Sequence, residues 1–74
     1  MKVEDNLYIL TSEIRGETMY LIDDYDGYDY SFDIRKALKA TNKVTASLVK
    51  DAYEDELGFK SDLRIVPLKI TYEW

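Results

Sequence analysis

The side chains best suited to chemistry in this sequence are carboxylates that recur around Gly27, namely Asp23, Asp24, Asp26 and Asp29. Acidic oxygens around a glycine turn are what a hard cation such as calcium requires. Placing Gly27 at the sixth position of a calcium loop puts Asp24 and Asp26 at ligand positions. It also puts Ile22 first and Asp33 at the last position, where a bidentate glutamate is needed. We therefore assign no metal, and a solvated hairpin tip is the simpler interpretation.

Catalysis by these carboxylates would need environments that push two of their pKa values apart. The stretch offers no apolar pocket that could do so, and the chain has no histidine and no cysteine. A serine or threonine nucleophile would have to recruit a lysine base, and no spacing in the sequence indicates such a pair. We expect a protein that is not an enzyme and needs no cofactor.

Tyrosines alternate with the carboxylates at Tyr20, Tyr25, Tyr28 and Tyr30. In one interpretation they are cross-strand partners in a sheet. In the other, some of them are exposed and form a contact patch, because tyrosine gives a large contact area at low entropic cost. Both interpretations stay open, for different residues. Base stacking on these rings would need surrounding positive charge, and the surroundings are negative.

Charge is divided into two blocks. Residues 17–33 contain six carboxylates and no base, whereas residues 34–50 contain five bases and no acid. The net charge is −5 and the isoelectric point is near 4.5, so phosphate backbones are repelled and direct nucleic-acid binding is not expected. A basic protein surface is the favoured partner. The bases at Arg35, Lys36, Lys39 and Lys43 could form a small anion-binding patch, but a solvated helix face that pairs with the neighbouring acids is the favoured interpretation.

Alternating and β-branched residues predict strands over residues 7–15, 18–22 and 28–32. Arg15-Gly16 and Asp26-Gly27 are typical of two-residue hairpin turns, in which glycine supplies a positive φ. A tyrosine-rich loop is the alternative for the third strand.

Two helices and a last strand follow. Asp33 is placed to cap a short helical segment over residues 34–38, and a longer helix is predicted over residues 43–57, ending at Gly58. Its predicted apolar face comprises Val44, Leu48, Val49, Ala52, Tyr53 and Leu57. A strand over residues 63–73 contains Pro67, which belongs at a sheet edge or a bulge.

The order β-β-(β)-α-α-β predicts one α+β domain over residues 1–74. Its expected architecture is an antiparallel sheet of three or four strands, with one main helix packed on one face. Without cysteine the domain has no disulfide, which fits a cytoplasmic location. No apolar run is long enough for a membrane span.

The whole-chain pattern resembles the small accessory and early proteins of bacteriophages that infect low-GC Gram-positive hosts. The likeness rests on a hairpin such as Leu7-Tyr8-Ile9-Leu10 with Tyr20-Leu21, the phrase Phe32-Asp33-Ile34-Arg35-Lys36-Ala37, a helix, and a closing strand over residues 63–73. The resemblance implies a role in the host cytoplasm, often inhibition of a defence or replication protein. Some anti-CRISPR and anti-restriction proteins of this size are acidic and imitate DNA. It assigns no role to any single residue.

The leading hypothesis is therefore an inhibitor that binds the basic surface of a host nucleic-acid-handling or defence protein. The residues expected to contact the partner are Asp23, Asp24, Tyr25, Asp26, Tyr28, Asp29 and Tyr30. The alternative is a homo-oligomeric structural or assembly module with no inhibitory role, because unpaired edge strands in a small sheet favour pairing across a two-fold axis. In that case a homodimer would bury Tyr25 and Tyr28.

Overall fold

Four antiparallel strands form one sheet with the spatial order β3-β2-β1-β4. A computed structural model describes all residues, 1–74. The elements are β1 (Lys2–Ile14), β2 (Glu17–Asp24), β3 (Gly27–Ser31), a single 3₁₀ turn (Ile34–Lys36), α1 (Lys43–Leu57) and β4 (Arg64–Glu73). The predicted α+β class, with an antiparallel sheet and one main helix, is confirmed. The short helical segment is a 3₁₀ turn, capped by the Asp33 side chain, which accepts a hydrogen bond from the Arg35 backbone N–H at 3.0 Å.

The turn between β1 and β2 is the predicted one. Ile14 pairs with Glu17, and the two residues between them have φ angles of 55° at Arg15 and 80° at Gly16. Two successive positive φ values are what a type I′ turn requires, and its twist matches that of the flanking strands.

The turn between β2 and β3 lies one residue earlier than predicted. Asp24 pairs with Gly27, so the loop residues are Tyr25 and Asp26 rather than Asp26 and Gly27. Neither loop residue has a positive φ, whereas Gly27 has a φ of 135°. The glycine is needed at the first position after the turn, because side chains with a Cβ rarely adopt that conformation.

Strands β1 and β4 form a ten-pair antiparallel ribbon, from Lys2 opposite Glu73 to Thr11 opposite Arg64. Strand β1 thus begins at Lys2, five residues before the predicted start at Leu7, because β4 runs beside it from Lys2 to Thr11. Strand β2 pairs with β1 only from Thr11 onward. The far end of the ribbon projects from the body, which gives a long axis of 46 Å against 26 and 23 Å for the other two.

A connecting segment fills the gap where β1 and β2 diverge. Tyr8 and Ala40 exchange two backbone hydrogen bonds of 2.8 Å, and the Leu38 N–H donates to the Leu21 carbonyl at 2.9 Å. Backbone groups that the diverging strands leave unpaired are thereby satisfied, as buried peptide groups must be.

Helix α1 has the predicted bounds because both of its caps are local. The Asn42 side chain accepts a hydrogen bond from the Thr45 N–H at 2.8 Å, and Gly58 ends the helix with a left-handed φ of 79°. No helix of the chain has the length and apolar character needed to cross a membrane.

The face that α1 presents to the sheet differs from the predicted one. Ala46 and Tyr53 are buried, and Val49 is half-buried between them. Four residues that were predicted to pack inward are exposed, namely Val44 (70%), Leu48 (62%), Leu57 (37%) and Ala52. The prediction was wrong at these four positions because only the narrow stripe of α1 that carries Ala46, Val49 and Tyr53 packs inward.

The core is a small cluster of four buried side chains, Leu10, Leu21, Tyr53 and Leu63. Tyr28, Tyr30, Val49 and Ile65 pack around it. The β2–β3 hairpin and the helix therefore share one core, and this shared core positions the hairpin tip described below.

Candidate protein-interaction surface

All seven residues expected to contact a partner lie at the end of the β2–β3 hairpin, within strands β2 and β3 and their turn. Asp23, Asp24, Tyr25, Asp26 and Asp29 are exposed, and Tyr28 and Tyr30 are half-buried. We call the four exposed carboxylates together with Tyr25 the acidic tip.

The carboxylates of the acidic tip lie on both faces of the hairpin. Asp23 is opposite Tyr28, whereas Asp29 is opposite Ile22. Because successive side chains in a strand point to opposite faces, Asp23 lies on the side of the core and Asp29 on the other side. Both faces of the end of the β2–β3 hairpin therefore carry negative charge.

No basic side chain neutralises the acidic tip. The three ion pairs of the chain join Lys2 to Glu4 at 3.5 Å, Lys69 to Glu4 at 3.2 Å and Arg35 to Asp33 at 3.0 Å. Within the tip, the carboxylates of Asp24 and Asp29 each accept a hydrogen bond from the next residue's backbone N–H at 2.8 Å. These bonds orient the carboxylates and leave their charge in place.

Glu56 extends the negative region from the helix. A Cβ atom built on Gly27 would lie 3.5 Å from each carboxylate oxygen of Glu56, so this side chain of α1 lies beside the hairpin turn. Sequence reasoning missed Glu56, because only the packing of α1 against the hairpin brings these two distant positions together.

Of the four tyrosines of the hairpin, Tyr20 is half-buried in β2 between Thr11 and Ser31, and the other three have two different roles. Tyr25 is 98% exposed at the turn. The rings of Tyr28 and Tyr30 each meet the Tyr53 ring edge-on, with centroids 5.9 Å apart and interplanar angles of 85° and 90°. Such T-shaped pairs stabilise packing beyond the apolar area they bury. Tyr28 and Tyr30 thus fix the hairpin to the helix, and Tyr25 is the aromatic side chain free for contact.

Burial raises the pKa of the Tyr30 hydroxyl well above its usual range, and the neighbouring Tyr53 hydroxyl and Asp62 carboxylate raise it further. Asp62 is itself fixed, because its Oδ1 atom accepts a hydrogen bond from Ser12 Oγ at 2.7 Å. Tyr30 is therefore held neutral, which suits a packing residue.

The acidic tip is a convex surface and not a cavity. The open pockets of the structure are lined by residues of the ribbon end, of the 3₁₀ segment with β4, and of the end of α1, and none by the acidic tip. No group of three or more acidic side chains converges closely enough to hold a metal ion. The arrangement suits contact with the surface of another macromolecule.

Two of the four bases in the segment that follows the acidic block form hydrogen bonds within the fold. Arg35 forms hydrogen bonds with the Asp33 carboxylate that lower the pKa of that carboxyl. Lys39 Nζ donates to the backbone carbonyls of Arg35 and Ala37 at 3.2 and 3.1 Å. Arg35 and Lys39 thus make contacts within the 3₁₀ segment, and all four bases, including Lys36 and Lys43, are exposed.

Comparisons of this chain with protein-family models, with curated proteins and with solved structures found no match.

Proposed function

We propose that this chain is a non-enzymatic interaction protein of the phage type that binds and inhibits a host nucleic-acid-handling or defence protein. The acidic tip would occupy the basic face with which that host protein holds nucleic acid. The observation that carries the proposal is the set of four exposed carboxylates with no basic partner around an almost fully exposed tyrosine.

The tip has the two components that such a contact needs. Its carboxylates can take the place of phosphates opposite lysine and arginine, and complementary charge accelerates encounter and selects the partner. Tyr25 offers an aromatic anchor, which is the residue class that contributes most of the binding energy in interfaces. Glu56 adds a further negative charge beside the turn.

The support beneath the tip also favours recognition. The packing of Tyr28 and Tyr30 on Tyr53 holds the hairpin against α1, so little conformational entropy would be lost when a partner binds. A host protein whose basic face is occupied in this way cannot hold its nucleic acid. The cytoplasm of a bacterial host cell is the compartment in which such a contact would be made.

The test is capture of host proteins on the tagged chain from a bacterial lysate, at low and at high salt. A variant with Asp24, Asp26 and Asp29 all changed to Asn removes three carboxylates of the tip. A matched control carries Glu13→Gln, Glu17→Gln and Asp51→Asn, which alters net charge equally at exposed positions away from the tip.

We expect a partner that is captured at low salt by the wild type and by the control, is lost at high salt, and is lost with the tip variant. Capture that is the same for the tip variant and the control would show that only net charge matters. Capture that persists at high salt would remove the electrostatic basis of the proposal.

A further inference from the structure

Strand β4 lies at one edge of the sheet, and its free side carries backbone groups without partners. The hydrogen bonds of Tyr8 show which β4 residues these are. Both the N–H and the carbonyl of Tyr8 bond to Ala40, so Tyr8 and the opposite residue, Pro67, form a non-hydrogen-bonded pair within the ribbon. The backbone nitrogen of Pro67 therefore faces the free edge.

Hydrogen-bonded and non-hydrogen-bonded pairs alternate along an antiparallel ladder. Like Pro67, the residues Lys69, Thr71 and Glu73 therefore direct their backbone N–H and carbonyl groups outward. The mutual backbone hydrogen bonds of Met1 and Trp74 fit the same alternation. Since Pro67 has no N–H, the edge open to pairing runs from position 68 to the end of the ribbon.

We propose that two copies of the chain pair antiparallel along this edge, with the two-fold axis at Thr71. In this register Lys69 of each copy lies opposite Glu73 of the other, and both are residues that direct their hydrogen-bonding groups outward. On the opposite face, Ile70 lies against Tyr72 of the second copy, and Leu68 lies against Trp74 of the second copy. Opposite charges meet, and apolar side chains meet apolar or aromatic ones, which are the cross-strand pairs that stabilise a sheet.

Neighbouring registers are less favourable. An axis at Lys69 or at Glu73 would place two like charges directly opposite each other, which destabilises the pair. An axis at Ile70 would place Pro67, which cannot donate a hydrogen bond, opposite Glu73 of the second copy. An axis at Tyr72 would place Glu73 opposite Thr71 of the second copy and so lose the pairing of Glu73 with Lys69. The charge pattern of β4 therefore selects Thr71 as the centre.

The sheet face that carries Leu68, Ile70, Tyr72 and Trp74, next to this edge, has several exposed apolar side chains. Tyr72 is 48% and Trp74 is 71% exposed, and they lie opposite Val3 and Met1, which are also exposed. On the same face, Ile34, Arg35, Lys39, Leu68 and Ile70 line an open pocket of about 360 Å³. Trp74 of the second copy, opposite Leu68, would lie beside this pocket.

The other free stretch of edge, Lys2–Asn6 of β1, is a weaker candidate. It ends before Tyr8, because the backbone N–H and carbonyl of Tyr8 are already hydrogen-bonded to Ala40. Its outward-facing residues are Lys2, Glu4 and Asn6, and an axis at the central one would oppose two glutamates. An axis at Val3 is the competing arrangement, and it is separated from the proposed one by the cross-linking experiment below.

Sedimentation equilibrium over a range of concentrations measures the dimer directly, as a species of twice the 8.7 kDa chain mass. The diagnostic variant is Thr71→Pro, which removes an N–H that faces only the free edge. Pro67 shows that β4 accepts proline at a position of this kind. We expect this variant to keep the wild-type circular dichroism spectrum and to be monomeric, whereas Thr71→Val, which keeps the N–H, dimerises.

Charge reversal tests the register. Lys69→Glu should raise the dimer dissociation constant by roughly tenfold, because it turns two symmetry-related attractive pairs into repulsive ones. The same change removes the Lys69–Glu4 ion pair within each chain, so each variant is first checked for a wild-type circular dichroism spectrum. Adding Glu73→Lys in the same chain recreates opposite pairs and should restore dimerisation. A double variant that dissociates as readily as the single one would exclude this register.

Cross-linking locates the axis in a chain that has no cysteine of its own. In the proposed dimer the two copies of residue 71 form a hydrogen-bonded pair with Cα atoms about 5.5 Å apart, within disulfide range. Thr71→Cys should therefore oxidise to a covalent dimer, and Val3→Cys should not. A monomer at every concentration, a dimer unaffected by Thr71→Pro, or cross-linking through residue 3 would each overturn the inference.

This inference does not rest on the proposed function. The β4 edge and the acidic tip are at opposite edges of the sheet, so the tip variant should dimerise normally. Loss of partner capture and loss of dimerisation would then report on separate surfaces.

Discussion

The ring of Tyr53 stands perpendicular to the ring of Tyr30, with their centroids 5.9 Å apart. This contact joins the only α-helix to the hairpin that carries the acidic tip, and Tyr28 makes the same kind of contact beside it. A sheet whose strands β1 and β2 diverge after a short pairing needs such a support. The position of the tip therefore depends on one helical side chain.

Alanine variants of Tyr53 and Tyr25 should differ in stability, because Tyr53 supports the fold and Tyr25 does not. Tyr53 is buried at the centre of the core, so Tyr53→Ala should lower the free energy of unfolding by about 3–5 kcal/mol, as for other large-to-small aromatic changes in cores. Tyr25→Ala should change it by less than about 0.5 kcal/mol, because the ring makes no buried contact. Urea denaturation followed by circular dichroism measures both, and a Tyr53→Ala chain as stable as the Tyr25→Ala chain would contradict this role for Tyr53.

Tyr25 is expected to act in partner binding instead. If it is the aromatic anchor of the acidic tip, Tyr25→Ala should weaken partner binding by about 2 kcal/mol, or roughly thirtyfold. Phe59→Ala, which removes an aromatic side chain that is 66% exposed just after α1, is the matched control and should leave binding unchanged. Titration calorimetry with the captured partner gives both values, and equal losses in the two variants would remove Tyr25 as the anchor.

Alkaline pH should destabilise the chain through Tyr30. The pKa of Tyr30 is raised in the folded state, so above pH 10 the unfolded chain releases this proton more readily than the folded chain. The contribution of Tyr30 is complete below pH 10 and decreases as the pH rises toward the folded-state pKa. Tyr30→Phe should make the free energy of unfolding fall less steeply above pH 10, and Tyr25→Phe should not.

Acidic pH should destabilise the chain through Glu54. The Ser61 backbone N–H and then its hydroxyl hydrogen-bond to Glu54 and lower the pKa of this carboxyl. A lowered folded-state pKa gives stability that is present above the ordinary pKa of glutamate, near 4.3, and is lost as the pH falls below it. Glu54→Gln should be less stable than wild type at neutral pH and show a smaller loss on acidification.

Asp55→Asn is the control for Glu54, because it removes a neighbouring charge that has no hydrogen bond to Ser61. Denaturation curves between pH 3 and pH 7 compare the two variants. The same pH dependence in both would show that the Glu54 contact does not stabilise the folded state.

Local signals explain why the sequence predicted some elements well. The bounds of α1 follow from a cap residue before it and Gly58 after it, and the Arg15-Gly16 turn follows from a glycine that accepts a positive φ at the second turn position. These features depend on a few adjacent residues and on the chirality of the backbone. Neither needs knowledge of the rest of the fold.

Long-range pairing explains what the sequence could not predict. Residues Lys2–Asn6 carry no clear strand pattern and become part of β1 because β4 is available beside them. Two further features arise only when α1 packs against the hairpin. Glu56 approaches Gly27, and Tyr28 and Tyr30 become packing residues whereas Tyr25 stays exposed. The composition of the acidic tip was predictable, but its support was not.

The central claim is that the acidic tip takes the place of nucleic acid on a basic host surface, and competition tests it most directly. A labelled duplex bound to the captured host protein is titrated with the wild-type chain, with the Asp24, Asp26 and Asp29 to Asn variant, and with the charge-matched control. We predict that the wild type and the control displace the duplex, and that the tip variant requires a concentration at least about tenfold higher. Capture of no host protein at low salt, or simultaneous binding of the duplex and the wild-type chain, would contradict the claim.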